Sequence, residues 1–301
     1  MIVVIFVVLS LALSGQWIAA KLGVTAVPAL ELSTARYAIA SVVLVIACAV
    51  TRTPLPVRQW QLIALGAACG VLGFITLAFV GLTFTPASDA ALILPTTIPA
   101  AAAVFATLIG ETLTAWRIVG LAIASVGTLI VILGGQQSGG EGSAMRAVGD
   151  VLELLGAASW AAGLTVGAAV FRKGEGVLGY VTLMVLIGTA FIAPLGLLQE
   201  GYRDLDRWSV QTWMAAAFLG IASTALAFVL FFWAVRRFGP ALAAMVAYLT
   251  PVTTLVLAFV ILNERPEPIQ LIGGAAIIVG VRVASRRRAQ AAMSPSPSIR
   301  A

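Results

Sequence analysis

The chain has 301 residues, of which 61% are hydrophobic and only 10% charged, with a net charge of +6 and a mean hydropathy of +1.07. Soluble domains carry about 25% charged residues, so this composition excludes a water-soluble globular protein and indicates a membrane protein. The sequence contains no histidine, the commonest metal ligand and near-neutral proton carrier, and its basic residues are scattered between apolar runs, which argues against a nucleic-acid partner.

The chain opens in an apolar run, MIVVIFVVLSLALSG, without the basic residues that begin a signal peptide, and we interpret this run as the first membrane span. A helix needs about 20 mostly apolar residues to cross a bilayer. The sequence offers ten such stretches, at residues 2–20, 29–50, 60–82, 87–109, 116–134, 149–170, 177–198, 211–234, 240–262 and 268–284.

A Gly/Ser-rich linker at residues 136–148 separates the fifth predicted span from the sixth. The sequence therefore divides into a first five-span unit (1–135) and a second one (149–285). The remaining residues, 286–301, are rich in arginine, serine and proline and predict a disordered tail.

The two units repeat one another. The matching residues are Pro99, Glu111, Gly120 and Gly127 in the first unit and Pro251, Glu264, Gly273 and Gly280 in the second. In each unit the two glycines follow the glutamate by 9 and 16 residues. An odd number of spans per copy predicts that the second copy enters the membrane upside down, a geometry typical of secondary transporters.

The distribution of basic residues predicts the orientation. With a cytoplasmic N-terminus, twelve of the 18 Lys and Arg residues fall on the cytoplasmic side and six on the outer side. Both termini are then cytoplasmic. The sequence thus predicts an all-α integral membrane protein with ten transmembrane helices in two inverted five-helix repeats.

The twelve carboxylates fall in loops or within about a turn of a span end, and Asp89 and Glu153 are the deepest. We interpret them as solvated helix ends, where the helix dipole favours negative charge. Proton-coupled transporters usually bury an acid, so we expect facilitative rather than proton-coupled transport. Lys21 and Arg36 flank the first outer loop and are interpreted as snorkelling side chains; the alternative is that they hold a substrate carboxylate.

Prolines within the fourth and ninth spans, at Pro95, Pro99 and Pro251, predict kinks that act as hinges beside a substrate cavity; a membrane proline without such a role is the alternative. The paired glycines predict close helix contacts, and dimerisation through the same faces stays open. Glu111 and Glu264 are interpreted as loop anchors at helix starts.

Aromatic and polar side chains away from the span ends are the candidate substrate contacts. They are Ser14, Gln16, Trp17, Ser88, Trp160, Met245 and Tyr248. Apolar walls with a few polar anchors are typical of a small-molecule site, although packing alone is the alternative for each residue. Four other tryptophans, Trp60, Trp116, Trp208 and Trp213, lie at span ends as in an interfacial belt. The sequence predicts no catalytic, metal or cofactor-binding residues and no cofactor.

The paired motif of a proline, Gly-Glu or Asn-Glu and two glycines resembles the EamA family of the drug/metabolite transporter superfamily. Gln16-Trp17, Lys21 and Arg36 are similar to the family's first two spans, and Ser159-Trp160-Ala161 to the start of its second repeat. The resemblance covers about residues 5–284 and extends to the YddG-like aromatic amino-acid exporters. It implies ten helices, cytoplasmic termini, a central cavity and a place in the bacterial inner membrane.

We therefore expect an exporter of small metabolites, amino acids including aromatic ones, that works by alternating access in a lipid bilayer. A homodimer is an open alternative. Multidrug efflux of cationic compounds is the second candidate, and it would favour a carboxylate in the cavity. An intramembrane enzyme would need a Ser–His pair, paired aspartates or zinc ligands, and a channel would lack saturable flux.

Overall fold

The computed structural model describes residues 7–16, 19, 27–84, 87–135, 144–199, 208–262 and 268–293. Every regular element in these residues is a helix, and ten helices correspond to the ten predicted spans. Five regions are long and apolar enough to cross a membrane, and the other five contain shorter apolar helices.

Three of the ten are made of consecutive segments. The helices are α1 (Val7–Gln16), α2 (Ala29–Thr51), α3 (Trp60–Ala67, Ala68–Gly73 and Phe74–Phe84), α4 (Ala87–Leu108), α5 (Ala115–Gly135), α6 (Ala144–Arg172), α7 (Val177–Gln199), α8 (Val210–Gly220, Ile221–Leu226 and Ala227–Phe238), α9 (Pro240–Ala244 and Val246–Leu262) and α10 (Pro268–Met293).

Two helix ends differ from the prediction. Helix α6 begins at Ala144, so the last five residues of the predicted linker are helical. Helix α10 continues to Met293, so the predicted disordered tail is helical over 286–293. Residues 136–143 and 294–301 lie outside the described part of the chain.

Helices α3 and α8 each contain a six-residue π-helical segment, Ala68–Gly73 and Ile221–Leu226. The two segments begin 153 residues apart, which is also the separation of Glu111 and Glu264. The π-helix is rare, appears mostly as a short insertion in an α-helix and is frequent at functional sites. The duplication seen in the sequence is therefore present in the backbone of corresponding helices.

The predicted proline positions behave differently in α4 and α9. Helix α4 is continuous through Pro95 and Pro99. Helix α9 is interrupted at Met245, six residues before Pro251. Two backbone hydrogen bonds between residues three apart flank the break, from Met245 N–H to Leu242 O (3.3 Å) and from Tyr248 N–H to Met245 O (3.1 Å). The interruption supplies irregular backbone in the ninth span, while the hinge role of the prolines stays a prediction.

Helices α5 and α10, the last of each unit, pack through the repeated glycines. A Cβ atom added at Gly120 would lie 2.6 Å from the carbonyl oxygen of Gly280, and one at Gly127 would lie 2.7 Å from that of Gly273. Only glycine allows so close an approach of two backbones. The predicted close helix contact is confirmed. The glycine faces of α5 and α10 pack against each other within one chain, so they are not free to form a contact between two copies.

Glu111 anchors the turn between α4 and α5, as predicted. Its carboxylate accepts a hydrogen bond from Arg117 Nη1 at 3.2 Å and lies against Gly239, the residue between α8 and α9. Gly239 has φ +86°, a left-handed conformation that glycine adopts without strain. The contact joins the two units at this end of the bundle.

Three of the four tryptophans predicted for the interfacial belt are exposed, as a belt requires. Trp60, Trp116 and Trp213 are exposed. Trp208 is buried against the Trp213 ring, with centroids 4.9 Å apart, and its Nε1–H has no hydrogen-bond partner in the described part of the chain. The belt interpretation is therefore wrong for Trp208, because its ring packs in a buried cluster with Leu32 of α2 and Leu219 of α8.

Candidate functional site

Arg36 points into the bundle rather than toward the surface. On α2, its Nε donates to Thr224 Oγ1 at 2.6 Å and its Nη2 donates to Gln16 Oε1 at 2.9 Å. The guanidinium carbon lies 5.5 Å from the centroid of the Tyr37 ring. No carboxylate among the described residues forms an ion pair with Arg36. The snorkelling interpretation is wrong for Arg36, because two polar side chains from α1 and α8 hold the guanidinium inside.

The π-helical segment of α8 shapes this polar site. The Thr224 hydroxyl donates to the carbonyl oxygen of Leu219, five residues earlier, at 2.9 Å, which leaves its oxygen free to accept from Arg36. The neighbouring Ser223 donates to the carbonyl oxygen of Ala12 on α1 at 3.1 Å. The π segment thus fixes both the partner of Arg36 and the position of α1.

An aromatic cluster begins at Tyr37, next to Arg36 on α2. It consists of Tyr37, Phe74, Trp160, Phe228 and Phe231. Phe228 follows Thr224 by four residues, about 6 Å along the helix axis. The Phe228 centroid lies 5.2 Å from that of Trp160 and 6.4 Å from that of Tyr37. The Trp160 ring also meets Phe74 at 5.6 Å and Phe231 at 6.0 Å.

Trp160 packs against Gly70 in the other π segment. A Cβ atom added at Gly70 in α3 would lie 3.7 Å from the indole ring, and Ser159 Oγ donates to the carbonyl oxygen of Cys69 at 2.8 Å. Both π segments therefore border one site, which is built from α1, α2 and α3 of the first unit and α6 and α8 of the second.

The structure brings Gln16 and Trp160 into this site but places three other candidates elsewhere. Ser14 is fully buried, and its Oγ bonds Thr253 Oγ1 at 2.5 Å, which ties α1 to α9. Met245 and Tyr248 pack in a separate apolar cluster between α5, α9 and α10. Roles for these three in binding stay predictions.

Tyr248 is held by a hydrogen bond within that second cluster. Its hydroxyl bonds Ser125 Oγ on α5 at 2.8 Å, and the ring has no exposed surface. Trp17 and the side chain of Ser88 lie outside the described part of the chain, so their predicted contacts stay untested.

Two carboxylates predicted to be solvated are buried. Glu31 is 2% exposed in the first turn of α2, and Glu153 is fully buried in α6. Because α6 begins earlier than predicted, Glu153 is its tenth residue rather than an end residue. The solvated-end interpretation is wrong for both residues. The expectation of facilitative transport rested on the absence of a buried acid, and that premise is therefore also wrong.

The two units each match the EamA-like transporter family, over residues 1–133 and 147–286. The chain belongs to this family. It is 30% identical to a probable terminal-alkyne amino-acid exporter of Streptantibioticus cattleyicolor over 85% of this chain and 84% of that one. It is 25% identical to an uncharacterized transporter of Archaeoglobus fulgidus over 77% and 78% of the two chains.

Two more comparisons agree with this assignment. The uncharacterized transporter YyaM of Bacillus subtilis is 26% identical over 72% of this chain and 70% of that protein. A crystal structure superposes with a TM-score of 0.80, covering 97% of this EamA chain and 98% of its own, at 21% identity, which establishes the fold. The protein is thus a multi-span membrane transporter of small molecules, and its family and relatives point away from an enzyme.

Proposed function

We propose that this EamA protein exports small metabolites that carry a carboxylate beside an apolar side chain, with aromatic and other apolar amino acids as the main class. The observation that carries the proposal is the guanidinium of Arg36, which has no counter-ion among the described residues and lies beside the aromatic cluster.

The chemistry of Arg36 supports a carboxylate ligand. Arginine has five N–H donors in a planar fork that matches a carboxylate, and Thr224 and Gln16 use two of them. An unpaired charge inside a protein is costly, and a substrate carboxylate would lower that cost. Trp160, Phe228 and Phe74 would contact the apolar part of the same substrate, which fits the partial exposure of the Trp160 side chain.

The transport cycle we propose is alternating access at the boundary between two inverted repeats. Helices from both units build the site, and the paired π segments supply irregular backbone on both sides of it. The cytoplasmic termini and inner-membrane location belong to the same proposal. The name of the Streptantibioticus relative agrees with an amino-acid substrate.

Competition flux in proteoliposomes tests the proposed function. Purified full-length protein would be reconstituted and assayed for L-[14C]phenylalanine exchange against each of the twenty amino acids, with and without a pH gradient. We expect saturable exchange, competition by aromatic and branched aliphatic amino acids, and little competition by lysine or aspartate. Flux that no amino acid competes for contradicts the proposal, and flux that does not saturate indicates a channel.

Trp160→Ala should weaken phenylalanine binding by about tenfold, equivalent to ~1.4 kcal/mol, because the ring loses an aromatic contact surface. The half-saturation concentration for exchange measures this effect. Trp116→Ala is the matched control, since Trp116 is 47% exposed at a span end. Equal half-saturation values in both variants would remove Trp160 from the site.

Tyr248→Ala and Tyr248→Phe separate a packing role from a binding role. If Tyr248 packs only between α5, α9 and α10, the alanine variant loses about 3–5 kcal/mol of stability and the phenylalanine variant loses ~1 kcal/mol with its Ser125 bond. Thermal unfolding in detergent measures both. A Tyr248→Phe protein with normal stability and altered amino-acid preference would instead place Tyr248 at the substrate.

Cation efflux is a second candidate, because Glu153 is a buried carboxylate of the kind that such a function needs. The positive charge of Arg36 inside the bundle opposes it. Ethidium uptake into the same proteoliposomes distinguishes the two candidates. Saturable ethidium uptake for which phenylalanine does not compete would favour the cation transporter.

A further inference from the structure

Glu153 is an acid in the bundle interior whose two carboxylate oxygens have no hydrogen-bond partner among the residues that the structure describes. Its side chain is fully buried in α6 and packs against α3, where a Cβ added at Gly81 would lie 3.1 Å from Glu153 Cγ. Gly81 therefore makes room for the acid. The side chain is covered by protein and faces neither water nor lipid.

No described charged group neutralises Glu153. On α6 itself, Asp150 lies one turn earlier and acts on Glu153 as a like charge, and Arg146 lies two turns earlier with its side chain outside the described residues. The Phe74–Phe84 segment of α3 contains no titratable residue. On α4 the acid is Asp89, whose side chain also lies outside the described residues.

The remaining helices that pack on α6 carry their titratable groups farther along it. Cys69 lies level with Ser159, and the Tyr180 hydroxyl is level with Gly167. Arg236 and Arg237 follow at the end of α8, beyond Phe232, which also lies against Gly167. None of these described groups reaches the Glu153 carboxyl.

We infer that Glu153 binds the proton that couples substrate export to the proton gradient; this rests on the proposed transport function. A buried carboxylate without a partner among the described residues carries a large desolvation cost, and a proton is the one ion that removes the charge without needing further space or ligands. The carboxylate takes up one proton from the outer compartment and becomes a neutral carboxyl. When α3 and α4 move in the transport cycle, the group is exposed again and releases that proton to the cytoplasm as substrate leaves the cell.

Glu153→Gln tests the inference with the size and shape of the side chain retained. The controls are Asp150→Asn, one turn away on the same helix, and Asp89→Asn on the facing helix. Infrared difference spectra of the reconstituted proteins between acidic and alkaline pH should show a carboxyl C=O band in the wild type and both controls that Glu153→Gln lacks. This measurement requires no substrate.

A flux measurement tests whether Glu153 couples phenylalanine transport to the pH gradient. An imposed pH gradient should drive L-[14C]phenylalanine above its equilibrium level in the wild type and in Asp150→Asn. Glu153→Gln should lose this accumulation and keep phenylalanine exchange at equal pH. Glu153→Asp should recover part of the accumulation, since it restores an acid.

Several results would overturn the inference: infrared spectra in which Glu153→Gln keeps every pH-dependent carboxyl band of the wild type, gradient-driven accumulation that persists in that variant, or a wild type that only equilibrates phenylalanine. Absence of any amino-acid exchange in the wild type would refute the proposed function instead, and the infrared band would still decide whether Glu153 takes up a proton.

Discussion

Replacing Arg36 with glutamine should lower the efficiency of phenylalanine exchange at subsaturating concentration by about tenfold to a hundredfold. A hydrogen bond between charged groups contributes roughly 1.5–3 kcal/mol, and each 1.4 kcal/mol is a factor of ten. Glutamine retains a polar head that Gln16 and Thr224 can still contact, so folding should be preserved. The lower efficiency should therefore reflect weaker binding of the substrate carboxylate and not a loss of folded protein.

Arg36→Lys and Arg58→Gln complete this experiment. Lysine keeps the charge but not the planar fork, so it should recover only part of the efficiency. Arg58 is exposed before α3, and its replacement should leave exchange unchanged. Exchange by Arg36→Gln at the wild-type rate would show that the carboxylate binds elsewhere.

Gly120→Ala and Gly280→Ala should each destabilise the folded protein by about 1–3 kcal/mol, the usual cost of overpacking a tight contact. The added Cβ atoms would lie 2.6 Å and 2.7 Å from backbone oxygens of the opposing helix, so α5 and α10 must separate. Because these helices close the two units against each other, we also expect lower yields of folded protein. Thermal unfolding of the purified variants measures the effect.

Gly274→Ala is the matched control on α10. Its added Cβ would have one neighbour, Val252 Cγ2 at 3.8 Å, which is an ordinary contact. Its stability should equal or exceed that of the wild type, since alanine favours a helix over glycine. A Gly120→Ala protein as stable as Gly274→Ala would contradict the close packing of the two repeats.

The sequence was sufficient for the features that depend on composition and spacing. Continuous apolar runs predicted the ten helices, because a membrane helix must satisfy its own backbone and so needs a minimum length. The glycine pairs Gly120/Gly127 and Gly273/Gly280 predicted close helix contacts, and the structure shows that these two pairs meet each other between α5 and α10. These signals are local, and each can be read without knowing which helices meet.

The features that depend on helix neighbours could not be predicted in the same way. Arg36 stands near a span end, where snorkelling is the ordinary expectation, and only the approach of α8 brings Thr224 to its side chain. Glu153 is buried because Gly81 on another helix makes room for it. The sequence places the aromatic residues Tyr248 and Trp160 alike away from the span ends, but in the structure Tyr248 bonds Ser125 on α5.

The residue types in the two π segments give only a weak sequence signal. Ala68–Gly73 is rich in small residues, and Ile221–Leu226 holds the adjacent Ser223 and Thr224, whose hydroxyls bond backbone carbonyl oxygens. Small and hydroxyl-bearing residues are common in membrane helices for packing reasons alone. Their equal offset along the two units is the signal that could have identified them.

Substrate discrimination by the wild type and Arg36→Gln tests the central claim most directly. Three probes share one aromatic ring: L-phenylalanine, 3-phenylpropionate, which lacks the ammonium group, and 2-phenylethylamine, which lacks the carboxylate. Competition against L-[14C]phenylalanine exchange should rank phenylalanine and phenylpropionate well above phenylethylamine in the wild type, and Arg36→Gln should abolish this ranking. Phenylethylamine competing as well as phenylalanine in the wild type would contradict carboxylate recognition by Arg36.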